Sequence, residues 1–304
     1  MKRPVSSEYL DEVFKGAIDC HQHTGPSLFP RTCDSIDSAL EAKAAGMRAI
    51  CFKCHQGITS DRAQLVQKAT GMECYGGVVM NRYSGGINPY SVEASIRLGG
   101  RYIWFPTQWA AHHIAQYHAP EYFHMKISIE YGKKPAELEG KGITILDSDG
   151  NLTPETIEVL SLAKKHDNAV ATGHLSKKEI VTLFKEAHKM GLKKLVLQHV
   201  QLNELWVWSP SEQKELVDLG VLIEHVALYI HKGRYLLSPK ENMDMINIVG
   251  PENVVFASDC GQLNVPTPTQ GLKIFVGKLL EEGMSEKDIN IMLKKNPARM
   301  LGLD

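Results

Sequence analysis

The chain has 304 residues, 34 of them basic and 35 acidic, for a net charge of −1, which leaves no electrostatic footprint for nucleic acid or for an anionic membrane surface. The opening stretch MKRPVSSEYLDEVF is basic without an apolar core, and no apolar run approaches bilayer-spanning length, so a cytoplasmic protein without a membrane partner is expected. The cysteines are scattered and expected as thiols; the single CxxC, Cys51 and Cys54, falls on a strand-like run where an offset of three points its members to opposite faces, which argues against a structural zinc site.

Short apolar runs alternate with amphipathic stretches along the whole chain. AIDC (17–20) reads as the first strand and SIDSALEAKAAGM (35–47) as a helix opened by a capping serine. RAICF (48–52), a helix from Asp61 to Thr70, YGGVVM (75–80) and YIWFP (102–106) follow. PETIEVLSLAKKHD (154–167) is helical by spacing and AVAT (169–172) is the fifth strand. Ser176 with Glu179 three later, and a stop at Gly191, form a capping box and glycine terminus around the next helix. KLVLQ (194–198), helix PSEQKELVDLG (210–220), VLIEH (221–225), NVVFAS (253–258) and helix SEKDINIMLKKN (285–296) complete the series.

Eight strands alternating with helices predict a parallel α/β sheet closed as a (β/α)8 barrel in one domain over residues 1–304. A doubly wound open sheet is disfavoured, because no glycine-rich phosphate fingerprint follows the first strand. Residues 107–168, between the fourth and fifth strands, exceed the usual loop length. That insertion holds His112, His113, His118, His124 and Trp109, and a hairpin is expected at ITILDSDGNL (143–152) with Asp149-Gly150 at its turn. A lid and an oligomer contact fit it equally.

In such a barrel the carboxyl ends of the strands converge on one mouth. The first strand ends in His21-Gln22-His23, the second in Lys53-Cys54-His55, the fifth in His174, the sixth in His199, the seventh in Glu224-His225 and the eighth in Asp259. Alternation puts His21 and His23 on one face, with Gln22 turned away. A carboxylate such as Asp259 at the end of an apolar strand is costly to bury unpaired, and a cation removes that cost. The set predicts a divalent metal, with neighbouring Cys20 and Cys260 pointing away from it. Of Glu224 and His225 only one can face the mouth.

IDCHQHTGP (18–26), TGHLS (172–176), LQHV (197–200), FASDCG (256–261) and the closing KNPARMLGL (295–303) together resemble the amidohydrolase superfamily. The resemblance implies a metal-dependent hydrolase with His21, His23, His174 and Asp259 as ligands. It implies that Asp259 also serves as general base, and that His199 is either a second-metal ligand or a group that binds the reacting water or substrate. The carboxylated lysine or glutamate that bridges two metals at the fourth strand has no counterpart in YIWFPTQWAAHH (102–113), which points to one ion per chain. Lys53 could be a displaced bridge, but its plainer role is a cation for substrate. Three neutral nitrogens and a carboxylate suit zinc, with iron, manganese or nickel as alternatives. The expected chemistry is hydrolysis of a C–N or C–O bond (amide, lactone or ester) in a small, anionic molecule. Lys53, Arg82, Asn88 and His225 are the residues expected to bind it. Decarboxylation or hydration at the same metal is the alternative reaction, and a metal- or ligand-binding barrel without turnover the alternative class. Homo-oligomerisation is open.

Overall fold

A computed structural model describes residues 4–117, 142–202, 205–231 and 237–303. Nine parallel strands follow in chain order. They are β1 (Ile18–Gln22), β2 (Ala49–Phe52), β3 (Glu73–Tyr75), β4 (Gly77–Val79), β5 (Tyr102–Trp104), β6 (Ala169–Ala171), β7 (Leu195–Leu197), β8 (Val221–Val226) and β9 (Val254–Ala257). Helices intervene, among them α2 (Ser35–Ala44), α3 (Ser60–Thr70), α4 (Pro89–Arg97), α5 (Ala111–Tyr117), α6 (Pro154–His166), α7 (Lys177–Met190), α8 (Pro210–Asp218), α9 (Pro239–Val249), α10 (Pro268–Glu281) and α12 (Asn296–Leu301). The capping boxes at Ser176 and Ser209 form as their spacing dictates, each serine accepting from a backbone N–H three residues on while the glutamate there reaches back. Among the described residues no helix is long and apolar enough to cross a membrane.

The strands run β1-β2-β3 and then β4 through β9 in sequence order. Side-chain and strand-end hydrogen bonds join these two sheets into a barrel. The Asp259 N–H donates to the His21 carbonyl (2.8 Å) and the His23 N–H to the Cys260 carbonyl (2.9 Å), linking β9 to β1. Asp19 Oδ1 adds an acceptor for the Ser258 N–H at 3.0 Å. On the opposite side Thr59 stands in for a ladder. Its hydroxyl donates to the Phe52 carbonyl (2.7 Å) and accepts from the Gly77 N–H (3.0 Å), while its own N–H donates to the Gly77 carbonyl (2.9 Å).

The expected third strand, YGGVVM, is therefore two strands. Tyr75 ends the pairing with β2, and Gly77 begins the pairing with β5. The glycines are the physical reason: a Cβ on Gly76 would fall on the Thr59 backbone, and one on Gly77 on the Tyr102 carbonyl and the Trp104 ring.

Inside the barrel, Cys51, Val79, Trp104, Ala171 and Val255 pack in one cluster that Ala298, Met300 and Leu301 of α12 plug from the strands' amino ends. Asn296 anchors the plug, its Nδ2 lying 2.6 Å from the Val254 carbonyl. Outward-facing residues such as Ile50, Phe52, Ile103 and Ile223 pack under the helices in a second cluster. In the 107–168 region, α5 follows β5, and residues 143–152 turn back through a Leu146–Leu152 antiparallel bridge with Gly150 at φ +85°. His118 and His124 lie outside the described residues.

Gly77→Ala is expected to lower stability by about 2–3 kcal/mol through overpacking at the β4–β5 join. Urea unfolding, compared by midpoint at unchanged slope, measures it. A loss below about 0.5 kcal/mol would show that the join relaxes freely.

Candidate metal centre

A register shift in β1 between Asp19 and Gln22 shapes the site. Strict alternation would turn His21 away from the face that Cys20 occupies. With the shift, both face inward: Cys20 packs in the barrel interior with its Sγ 3.7 Å from the Pro297 carbonyl, and the His21 ring stands 6.4 Å from that of Trp104. The expectation that Cys20 points away is thus corrected. Gln22 does point out, to Ser38 on α2.

His21 is held by both ring nitrogens. Its Nε2 is 3.0 Å from Asp259 Oδ1 and 3.0 Å from Lys53 Nζ, and its Nδ1 is 3.1 Å from Glu224 Oε1. His23 Nε2 reaches the same Asp259 Oδ1 at 3.1 Å. His199 Nδ1 lies 3.7 Å from Asp259 Oδ2 and 3.4 Å from the Tyr229 hydroxyl. His174 is buried beside His199, 5.2 Å between ring centroids, and its Nδ1 is 2.8 Å from Nδ1 of His113 on α5. The insertion therefore reaches the mouth through His113. Two groups bring three possible ligand atoms together among the described residues: His21, His23 and Asp259, and His21, His199 and Glu224. His174 belongs to neither.

All of this is buried. Burial, aided by Arg31, lowers His23 to about 3, and burial lowers His199 to about 4. Burial also draws Lys53 down to about 8 against the pull of Asp259 and Glu224. Burial alone would raise Asp259 and Glu224, but the His21 imidazole outweighs it for both, aided at Asp259 by His23, and holds both carboxyls below their ordinary range.

The backbone is strained at the same places. His199 has φ +57° and Asp259 φ +48°, and Gly173 before His174 has φ +58°. Left-handed backbone at non-glycine residues costs of order 1–3 kcal/mol and persists where surroundings impose it. At Asp259 the imposing contacts include its N–H on the His21 carbonyl and its carbonyl accepting from Gln262 Nε2 at 2.8 Å.

The predicted substrate residues divide. Lys53, two after inward Cys51, faces the mouth. Arg82 is exposed and stacks over Trp109, 5.0 Å from the ring centroid. Asn88 caps α4, its Oδ1 accepting from the Tyr90 N–H. His225 is corrected. Leu222 faces inward and Ile223 outward, so Glu224 takes the mouth, and His225 turns to Asn242 of α9 with Nδ1 3.2 Å from Oδ1. The residues not singled out from the sequence are Glu224, Gln198, which contacts Glu224 at 3.3 Å, and Arg31, whose guanidinium stands 3.5 Å from His23 Nδ1. Alternation leaves Glu224 and His225 equally able to face the mouth until Leu222 is seen to face inward, and a loop residue such as Arg31 leaves no periodic signal.

The sequence matches the model of a family of unknown function, DUF6282, over residues 16–224. The chain belongs to that family. Among curated proteins no sequence matches it. Solved structures that resemble it include an amidohydrolase from Pseudomonas aeruginosa, 14% identical with a TM-score of 0.61, covering 98% of this chain and 98% of that one. A probable dipeptidase, PvdM, from Pseudomonas aeruginosa is 13% identical at TM-score 0.62, covering 97% of each chain. A 2,6-dihydroxybenzoate decarboxylase is 12% identical at TM-score 0.55, covering 95% of this chain and all, 100%, of that one. At these identities the likeness is one of fold, and it bears out the barrel.

Asp19 generates a pH prediction. Its Oδ1 accepts from Ser258 and from the His21 N–H (3.1 Å), its Oδ2 is buried without a partner, and burial raises its carboxyl to about 6. Between the ordinary Asp value of about 4 and about 6 the native chain therefore keeps a proton that the unfolded chain has lost. Stability falls as pH rises through that window. Asp19→Asn keeps the acceptor and has no proton to lose. Its stability relative to wild type, by urea unfolding of metal-free protein, should grow between about pH 4 and pH 7; a difference flat with pH contradicts the assignment.

Proposed function

We propose that the chain is a metal-dependent hydrolase that activates water for attack on a C–N or C–O bond of a small anionic substrate. One observation carries the reading: two imidazole nitrogens converge within 3.1 Å of a single oxygen of Asp259, and the other nitrogen of one of them rests on Glu224.

The donor set fits a divalent ion, best zinc. Two buried carboxylates face one buried ammonium, and against burial and Lys53 they raise the His21 imidazole between them, so a cation could take the place of the His21 proton. His21 Nε2, His23 Nε2 and Asp259 would hold the ion, with His199 and His174 the next nitrogens on the same side of the mouth. With the His21 proton on Nδ1, that N–H donates to Glu224 and Nε2 keeps its lone pair for the ion. Gln198 Nε2 donates to the same carboxylate and steadies it. The alternative group, His21 with His199 and Glu224, would use His21 Nδ1 instead; a neutral imidazole serves one of the two, and the Nε2 group has the shorter, shared oxygen.

A divalent ion bound there supplies Lewis acidity that brings water's ionisation toward neutral pH. Asp259 accepts the water's proton and returns it to the leaving group. His199 binds the developing oxyanion. Lys53 and Arg31 provide positive charge for the substrate's anionic group. Decarboxylation is the second reading, favoured by the decarboxylase among the structures of like fold and by buried Lys53 as a carboxylate holder; release of carbon dioxide without uptake of water distinguishes it.

Metal analysis of purified protein should find one divalent ion per chain. With zinc restored, Asp259→Asn should lose about 10²–10⁴-fold in turnover on lactone and amide panels while much of the metal stays bound. Full activity in that variant, or a protein that binds no divalent ion, refutes the assignment. Glu224→Gln should weaken zinc binding by about 10–100-fold in competition with a chelator. Unchanged affinity would remove Glu224 from the centre.

A further inference from the structure

We propose that His55 is a substrate-binding hydrogen-bond donor, not a metal ligand, locked with its proton on Nε2 by Thr107 and Asn81. The ring is buried against the centre. It stacks on His23 at 4.7 Å and 22°, and Phe29 meets it edge-on at 5.7 Å.

The proton's place follows from groups whose roles are not in doubt. Asn81 is fully buried just past β4. Its Oδ1 accepts from the backbone N–H groups of Thr107 (2.9 Å) and Trp109 (3.3 Å). A backbone N–H only donates, so the amide's orientation is set. Asn81 Nδ2 then gives its two hydrogens to the His55 carbonyl (2.9 Å) and to Thr107 Oγ1 (2.8 Å). The Thr107 hydroxyl has no other acceptor among the described residues, so it directs its own proton to His55 Nδ1, 2.9 Å away. Nδ1 is therefore the acceptor, and the ring proton sits on Nε2.

A metal-bound histidine uses one nitrogen for the ion and donates the other N–H to an outer acceptor. The outer nitrogen of His55 instead receives from Thr107 at 2.9 Å, a closer donor than the Arg31 guanidinium 3.5 Å from the outer nitrogen of His23. The His55 Nε2–H meets no protein partner among the described residues. Beside His23, that leaves a donor for an oxygen of the substrate. Thr107 and Asn81 are positioning residues that act through the ring. What lies next to His55 rests on the metal-centre reading; the tautomer does not.

Histidine-selective 15N labelling with two-bond 15N–1H correlation reads the tautomer, with His55 assigned by its absence in His55→Gln. The Nε2-protonated pattern is expected in metal-free protein and should survive zinc addition. Thr107→Val should collapse it to a tautomer average and Thr107→Ser should retain it. An Nδ1-protonated pattern, or a zinc-induced shift of His55 Nε2 to a ligand position, overturns the proposal. Inorganic phosphate serves as the oxyanion probe on zinc-loaded protein. His55→Phe should weaken its binding about tenfold, the worth of one hydrogen bond to a charged group, at unchanged zinc content, and His55→Gln should restore most of it. Equal phosphate affinity in wild type and His55→Phe also overturns it. If wild type binds no zinc, the metal-centre reading fails and the tautomer alone decides His55.

Discussion

His21 stands between two buried carboxylates, one on each ring nitrogen, and the rest of the mouth is arranged around that placement. A neutral imidazole has one proton and one lone pair. In the metal-free chain Asp259 and Glu224 raise the imidazole against burial and Lys53, one carboxylate at each nitrogen; a bound cation would take the Nε2 side and leave the proton to Glu224, itself held by Gln198. Were Glu224 an apolar residue, nothing on β8 would choose the tautomer. The arrangement depends on dryness as well, because full burial strengthens each of these contacts and makes each unpaired group costly.

Barrel closure and site assembly are the same event. The hydrogen bonds that join β9 to β1 run from the Asp259 N–H to the His21 carbonyl and from the His23 N–H to the Cys260 carbonyl, so they are made by the ligand-bearing residues themselves. The left-handed backbone at His199 and Asp259 is tolerated because neighbouring strands fix both ends of each turn. A strand register error would therefore break the site before it broke the core. Thr59 plays the corresponding part on the far side, where glycines let β4 approach and a hydroxyl replaces missing ladder bonds.

What could be read from the sequence follows a physical boundary. His21, His23, His199 and Asp259 were legible because each sits just past a short apolar run, and strand ends in a parallel barrel must meet. The choice between Glu224 and His225 was not, since it turns on which parity of β8 faces inward, a fact set by packing against Leu222 rather than by local composition. The β1 register shift was invisible for a similar reason: alternation counts residues, and a shift changes the count without changing any of them. At Asn88 capping and ligand binding ask for the same carboxamide, and proline at the following position is the sign of the cap that the structure forms. YGGVVM concealed two strands, although its paired glycines marked the break.

The charge of the mouth bears on what it would select. Its histidines other than His21 are kept neutral by burial, and two carboxylates outnumber the Lys53 ammonium by one. Against burial and Lys53, those two carboxylates raise the His21 imidazole, so in the metal-free chain its proton offsets the remaining charge. A divalent ion bound in place of the His21 proton would turn the balance to one net positive charge, with Arg31 adding another at the rim. Selection for an anionic substrate would then be conditional on the metal. Lys53 Nζ lies 3.0 Å from His21 Nε2 and makes no ion pair with either carboxylate among the described residues, so a cation on that nitrogen would displace this contact and leave the ammonium for substrate. The same step explains why a lysine belongs in the centre at all: in the metal-free chain it supplies part of the compensation for Asp259 and Glu224, which otherwise would be buried charges with imidazoles alone to hold them.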